Sequence, residues 1–212
     1  MKPQRFNALA PALAALLLVP VGDAAAADGR KIARNGTNAG APACKTCHGM
    51  DGAGRAAGGF PRLAGLEAAY MVRQIQAYAD GTRANATMKP IAKALSASQA
   101  RAVATYYADQ KASGRKPDGK APAAGRRLAT IGKWSKTVPA CNACHGPGGR
   151  GGGADFPAIA GQHESYLVAQ LKAWRKGRRT NDPNGLMAAV AKGLTAKEVQ
   201  AVAAYYARQS AP

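Results

Sequence analysis

Apolar residues recur at helical spacing in four stretches of this chain, and the four fall into two matched pairs. Met71, Ile75 and Tyr78 stand at i, i+4 and i+7, and Leu167, Leu171 and Trp174 repeat the arrangement. Gly81 and Gly177 follow these stretches, where a left-handed residue would end a helix. Two further helices are announced by their first turns. Ser96 precedes Gln99 and Thr195 precedes Glu198, the spacing at which side chain and backbone cap each other reciprocally. Their apolar stripes are Val103, Tyr106 and Tyr107, then Val202, Tyr205 and Tyr206. No stretch alternates apolar and polar residues over a useful length, so the pattern predicts an all-α fold.

The N-terminus departs from this pattern. Lys2 and Arg5 precede an apolar run from Ala8 to Val21, and the small residues Ala24 to Ala27 follow. Such a succession reads as a secretory signal cleaved before Asp28. The run is short for a membrane span, and Pro11 and Pro20 interrupt it. Residues 1–27 are therefore expected to be removed and the mature chain to lie in the periplasm. Lysine and arginine number 30 against 11 aspartate and glutamate, a net charge of +19. Export makes nucleic acid an improbable partner for that charge. An acidic protein partner or an anionic membrane surface fits better.

The matched pairs belong to a longer duplication. Phe60-Pro61-Arg62-Leu63-Ala64-Gly65 aligns with Phe156-Pro157-Ala158-Ile159-Ala160-Gly161. Tyr70, Gln74 and Tyr78 then align with Tyr166, Gln170 and Trp174, and Met88 aligns with Met187. Residues 28–111 and 123–212 are expected to form two small helical domains. The polar, Gly- and Pro-containing stretch 112–122 joins them as a linker.

All four cysteines sit in two Cys-x-x-Cys-His pentads, Cys44 to His48 and Cys141 to His145. This spacing is the attachment signature of c-type haem: two thiols add across the vinyl groups, and the adjacent histidine binds the iron. A zinc site needs further ligands, and His163 is the one other histidine. Two covalent haem c groups are expected, on Cys44 and Cys47 and on Cys141 and Cys144. His48 and His145 are the proximal ligands. Tethered haem would also supply core to domains close to the lower size limit.

The second iron ligand is sought among five methionines. Met50 aligns with Pro147 and Met71 with Leu167, whereas Met88 and Met187 coincide across the duplication. They follow their histidines by 40 and 42 residues, in loops before the final helix. Met88 and Met187 are the expected axial ligands. His163 aligns with Glu67 between polar neighbours and reads as a solvated side chain. Pro61 and Pro157 offer carbonyls that would orient the proximal histidines, or merely shape turns; spacing leaves both readings open. Tyr78 and Trp174 likewise either donate to haem propionates or pack in the core.

On these features the chain resembles the dihaem class I cytochromes c, most closely the cytochrome c4 type. The resemblance covers nearly all residues after the signal. It rests on Pro-Ala-Cys-x-x-Cys-His-Gly in both halves, the Phe-Pro-x-x-Ala-Gly turns, the Tyr-x-x-x-Gln helices followed by Gly-x-Arg, and the paired Met88 and Met187. It implies two class I cytochrome folds about a pseudo-twofold axis, with haem propionates approaching across the interface. It also implies His/Met ligation and carbonyl acceptors at Pro61 and Pro157. The implied role is electron carriage between respiratory partners rather than catalysis. Dihaem subunits of flavocytochrome sulfide dehydrogenases are similar, which gives the alternative of a subunit draining electrons from a larger oxidoreductase. A dihaem peroxidase would lack one methionine, and both are present. Lys172, Arg175, Lys176, Arg178 and Arg179 crowd eight positions in the second half, where they are expected to steer an acidic redox partner. The sequence does not fix the oligomeric state.

Overall fold

The expected helices form where the apolar spacing places them, joined by shorter ones that complete each half. A computed structural model describes residues 21–111 and 119–212; positions 1–20 of the expected signal and 112–118 of the expected linker lie outside the described residues. In the first half the helices are α1 (Val21–Asn35), α2 (Lys45–His48), α3 (Ala68–Asp80), α4 (Met88–Lys93) and α5 (Ala97–Ala108). In the second they are α6 (Ala123–Thr130), α7 (Cys141–His145), α8 (Glu164–Arg175), α9 (Leu186–Gly193) and α10 (Ala196–Ala207). The expected cleavage point before Asp28 falls within α1. Among the described residues there is no sheet, only isolated bridges, and no helix is long and apolar enough to cross a membrane.

Each half is organised on the crossing of its first and last helices. At Gly29 an added Cβ would lie 2.1 Å from the Ala102 carbonyl oxygen, and at Gly125 it would lie 2.1 Å from that of Ala201. The helices cross backbone to backbone, and glycine is the one residue that fits there. Ile32, Met71, Val103 and Tyr107 fill the first core; Leu128, Val168, Val202 and Tyr206 fill the second. Both final helices open on the expected reciprocal caps at Ser96 and Thr195. Their tyrosines reach from the core to the pentad segments. Tyr107 Oη donates to the Gly49 carbonyl at 3.0 Å, Tyr106 Oη to Met50 at 2.8 Å, and Tyr206 Oη to Asn142 Oδ1 at 2.7 Å.

One expectation needs correcting. Met88 and Met187 do not lie in loops: Met88 opens α4, and Met187 is the second residue of α9. The Asn-, Gly- and Pro-rich residues end just ahead of each helix and supply its start. Asn85 Oδ1 accepts from the Met88 amide at 2.8 Å, and Asp182 Oδ2 from the Ala188 amide at 2.9 Å. Pro90 is tolerated because it stands in the first turn, where its missing N–H has no helical partner. Buried Ala92 and Ala191 seat these short helices.

The halves share a buried polar seam. Ala84 N donates to the Arg178 carbonyl at 2.8 Å and Thr180 N to that of Thr82 at 2.7 Å, pairing Arg83 with Arg179 antiparallel. Arg62 N donates to Gln162 Oε1 at 2.9 Å, and Gln162 Nε2 returns a bond to the Arg62 carbonyl at 3.0 Å. Ala158 of the second half belongs to the buried cluster of the first.

Candidate functional site

Each pentad is one tight turn of helix, which brings cysteines three apart onto one face. Cys44 caps α2, and Cys47 and His48 close it; Cys141 opens α7, and Cys144 and His145 close it. Gly49 and Gly146, at φ 76° and 75°, turn the chain away directly after the histidine. All four thiols are half-buried and unbridged. Burial pushes the Cys44 and Cys141 thiols above their ordinary range.

Both histidines are buried, and each is held by one bond. His48 Nδ1 donates to the Pro61 carbonyl at 3.0 Å, and His145 Nδ1 to that of Pro157 at 2.7 Å. A carbonyl only accepts, so Nδ1 carries the proton and Nε2 keeps its lone pair. Burial lowers both imidazole pKa values, which the proline carbonyls partly offset; at His145 the Arg179 charge lowers it further. The neutral, metal-binding form is therefore favoured. Phe60 and Phe156 meet the rings edge-on at 6.3 and 6.4 Å.

In the second half Cys141, Cys144, His145 and Met187 all line one cavity of about 440 Å³. Its walls are mostly apolar, with Ile159, Leu171 and Val190 among them. Leu66, Tyr70, Arg73 and Gln74 of the first half also line it. In the first half Cys44, Cys47 and Met88 are half-buried and His48 is buried, on elements matching those of the second.

The polar wall between the halves is a twofold cluster of arginines. Arg83 donates to Gln74 Oε1 of its own half at 3.0 Å, and across the seam to Gln170 Oε1 at 2.6 Å and Tyr166 Oη at 2.5 Å. Arg179 donates to Gln170 Oε1 at 3.0 Å, and across to Gln74 Oε1 at 3.0 Å and Tyr70 Oη at 3.2 Å. Each guanidinium lies over a ring of its own half, Arg83 over Tyr78 at 4.6 Å and Arg179 over Trp174 at 3.9 Å. Tyr78 and Trp174 are thus platforms for arginine. Both guanidiniums are buried, and all their acceptors are uncharged oxygens. A buried cation lacking an anion is costly. Trp174 Nε1 is also buried without a partner among the described residues. Cations and an unpartnered N–H beside an apolar cavity with two thiols fit a haem, an apolar group that carries two carboxylates.

Two readings of the sequence fail here. His163 is half-buried rather than freely solvated: its Nε2 lies 3.0 Å from the Ala53 carbonyl, tying α8 to the first half. Arg179 is not part of an exposed basic patch, because it is buried in the seam; Lys172, Arg175, Lys176 and Arg178 remain exposed. The arginine pair itself went unread, although its signal was present: Gly-x-Arg recurs after both middle helices at matching positions.

The sequence profile described as cytochrome c matches residues 26–111 and again 123–208. A thiosulfate dehydrogenase electron acceptor of Stutzerimonas stutzeri is 50% identical over 199 residues, which cover 92% of this chain and 91% of the relative. A cytochrome c4 of Pseudomonas aeruginosa is 37% identical over 167 residues, covering 78% and 83%. Among solved structures, thiosulfate dehydrogenase of Marichromatium purpuratum superposes with a TM-score of 0.81 at 46% identity, covering 86% of this chain; this chain spans only 40% of its length. Reduced cytochrome c4 of Pseudomonas stutzeri gives a TM-score of 0.76 at 32% identity, covering 87% of this chain and 98% of that one.

Proposed function

The chain belongs to the cytochrome c family in both halves, and from that premise we propose that it is a periplasmic carrier that accepts electrons from a thiosulfate dehydrogenase. In this reading residues 1–27 are the export signal, and residues 28–111 and 123–212 each hold one haem. Cys44 and Cys47, and Cys141 and Cys144, form the thioether bonds. His48 with Met88, and His145 with Met187, are the axial ligands. The observation that carries the reading is that His145 and Met187 line the same cavity, with His145 Nδ1 already engaged by Pro157. Haem supplies one-electron chemistry at its iron. His48 and Met88, and His145 and Met187, would hold the two irons and leave no position for substrate, and the apolar walls would keep water away. Arg83, Arg179 and Trp174 would face the propionates. Pro61 and Pro157 hold each imidazole in the tautomer that binds metal.

The choice of donor follows the relative that matches at 50% identity along nine-tenths of both chains. Residues 28–212 carry 28 basic and 10 acidic side chains, a net charge of +18 that supports a donor with an acidic docking surface. A general respiratory shuttle, as in the cytochrome c4 relatives, is the second reading, favoured by the near-complete coverage of that structure. Stopped-flow mixing separates the two. The oxidised protein should be reduced by thiosulfate together with the Stutzerimonas stutzeri thiosulfate dehydrogenase, but not by thiosulfate alone. Reduction by ascorbate with no reduction by that enzyme would remove the proposed donor and leave the shuttle.

A further inference from the structure

We propose that the exposed Trp134 loop of the second half, with Ile131 and Leu186 of the same half, forms the docking face for an acidic one-electron redox protein, and that the first half carries no such face. The inference rests on the electron-carrier reading and adds to it where the partner sits.

The duplication provides an internal control. Ile131, Trp134 and Leu186 are the large apolar side chains left strongly exposed among the described residues, at 56%, 69% and 52%. All three belong to the second half. The first half has Asn35 and Thr87 at the positions of Ile131 and Leu186. Where the second half has Lys133 to Thr137 with Trp134, the first has Thr37-Asn38-Ala39-Gly40, shorter by one residue and without a charge or a large apolar group. Scattered surface hydrophobes need no explanation. Three in one half, with no large apolar residue at the same places in the other, do.

Leu186 and the loop that carries Trp134 are tied to the cavity. Leu186 lines it and adjoins Met187. Trp134 stands in a loop closed by Lys133 N to the Val138 carbonyl at 2.7 Å and Val138 N to the Lys133 carbonyl at 3.2 Å. The loop runs straight into Pro139, Ala140 and Cys141, which also line the cavity. It is braced against the end of α9, since a Cβ at Gly193 would meet Val138 Cγ2 at 2.5 Å and the Lys136 carbonyl at 3.0 Å. Trp134 is therefore displayed on a fixed loop, which cuts the entropy lost on binding. An exposed tryptophan ringed by polar groups is the composition of an interface centre.

Charge selects the occupant. Lys133 Nζ is paired with Glu198 at 2.8 Å, whereas Lys136 and Lys192 are exposed beside the loop. Residues 112–212 carry 16 basic and 5 acidic side chains, net +11, against 12 and 5, net +7, over 28–111. A second copy of so basic a chain would be repelled. An acidic surface with an apolar centre is complementary.

The test is binding by the holoprotein and its Trp134→Ser variant, measured by surface plasmon resonance at low ionic strength. Two probes are used, the thiosulfate dehydrogenase of Stutzerimonas stutzeri and a small acidic ferredoxin. Trp134→Ser should weaken binding about tenfold or more, with unchanged haem spectra and melting temperature, and Ile131→Asn should weaken it less. If the enzyme fails to bind but the ferredoxin binds through Trp134, the surface stands and the proposed donor falls. If both probes bind Trp134→Ser as tightly as the native protein, or neither binds either form, the docking face is refuted. Sedimentation showing a dimer that dissociates in Trp134→Ser would also overturn it, because the occupant would then be a second copy.

Discussion

At the residue scale, what a side chain does was set by its partner more than by its type. The sequence placed Arg179 with four neighbouring cations on a docking surface; the fold buries it against Gln74, Gln170 and Tyr70. Periodicity could not reveal this, because Arg179 follows the helix and turns back into the seam through a backbone pairing with the other half. The cysteines and histidines were legible because their chemistry is local, within one turn; the Pro61 and Pro157 carbonyls were left open by spacing and came only with the family resemblance. His163 was not, since its acceptor Ala53 is 110 residues away. A charge reversal separates the two kinds of arginine. Arg179→Glu should lower holoprotein stability by about 3 kcal/mol or more, because buried amide and phenol groups lose their donor. Exposed Arg175→Glu should stay within about 0.5 kcal/mol. Thermal unfolding followed by circular dichroism measures both, and equal effects would remove the distinction.

At the element scale, the helices that sequence announced were those with long stripes and caps. The short helices α4 and α9 were missed because six and eight residues give too little periodicity, and their starts are built by Asn85 and Asp182 from preceding loops. The first-to-last helix crossings were invisible because a glycine in a polar helix carries no pattern. Gly125→Ala should force α6 from α10 and cost about 1–3 kcal/mol, read as a lower midpoint in denaturant; an unchanged midpoint would mean the crossing tolerates a methyl group. Thr195→Ala removes the cap of α10 and should cost about 1 kcal/mol. The Lys133 bond, then the Thr195 amide, hold the Glu198 carboxyl below its ordinary range. A depressed folded pKa stabilises above the unfolded value, and the gain is lost as pH falls through the folded value. The stability difference between native protein and Lys133→Met should therefore be present near neutral pH and vanish on acidification below the ordinary glutamate range.

At the scale of the whole molecule, the halves are two copies of one haem domain that share walls. Leu66, Tyr70, Arg73 and Gln74 line the second half's cavity, and Ala158 enters the first half's core. Sequence gave the duplication and the family resemblance, but the extent of sharing needed coordinates. Removing the first haem with Cys44→Ala and Cys47→Ala should therefore shift the reduction potential of the remaining one, where independent domains would leave it fixed. The central claim is that each iron is held by one histidine and one methionine, Met88 in the first half and Met187 in the second. It is tested most directly by the thioether–iron charge-transfer absorption of the ferric protein, compared with Met88→Ala and Met187→Ala. The account predicts that each single variant loses the contribution of one haem, and that the double variant loses the band. Full intensity in both single variants would contradict it.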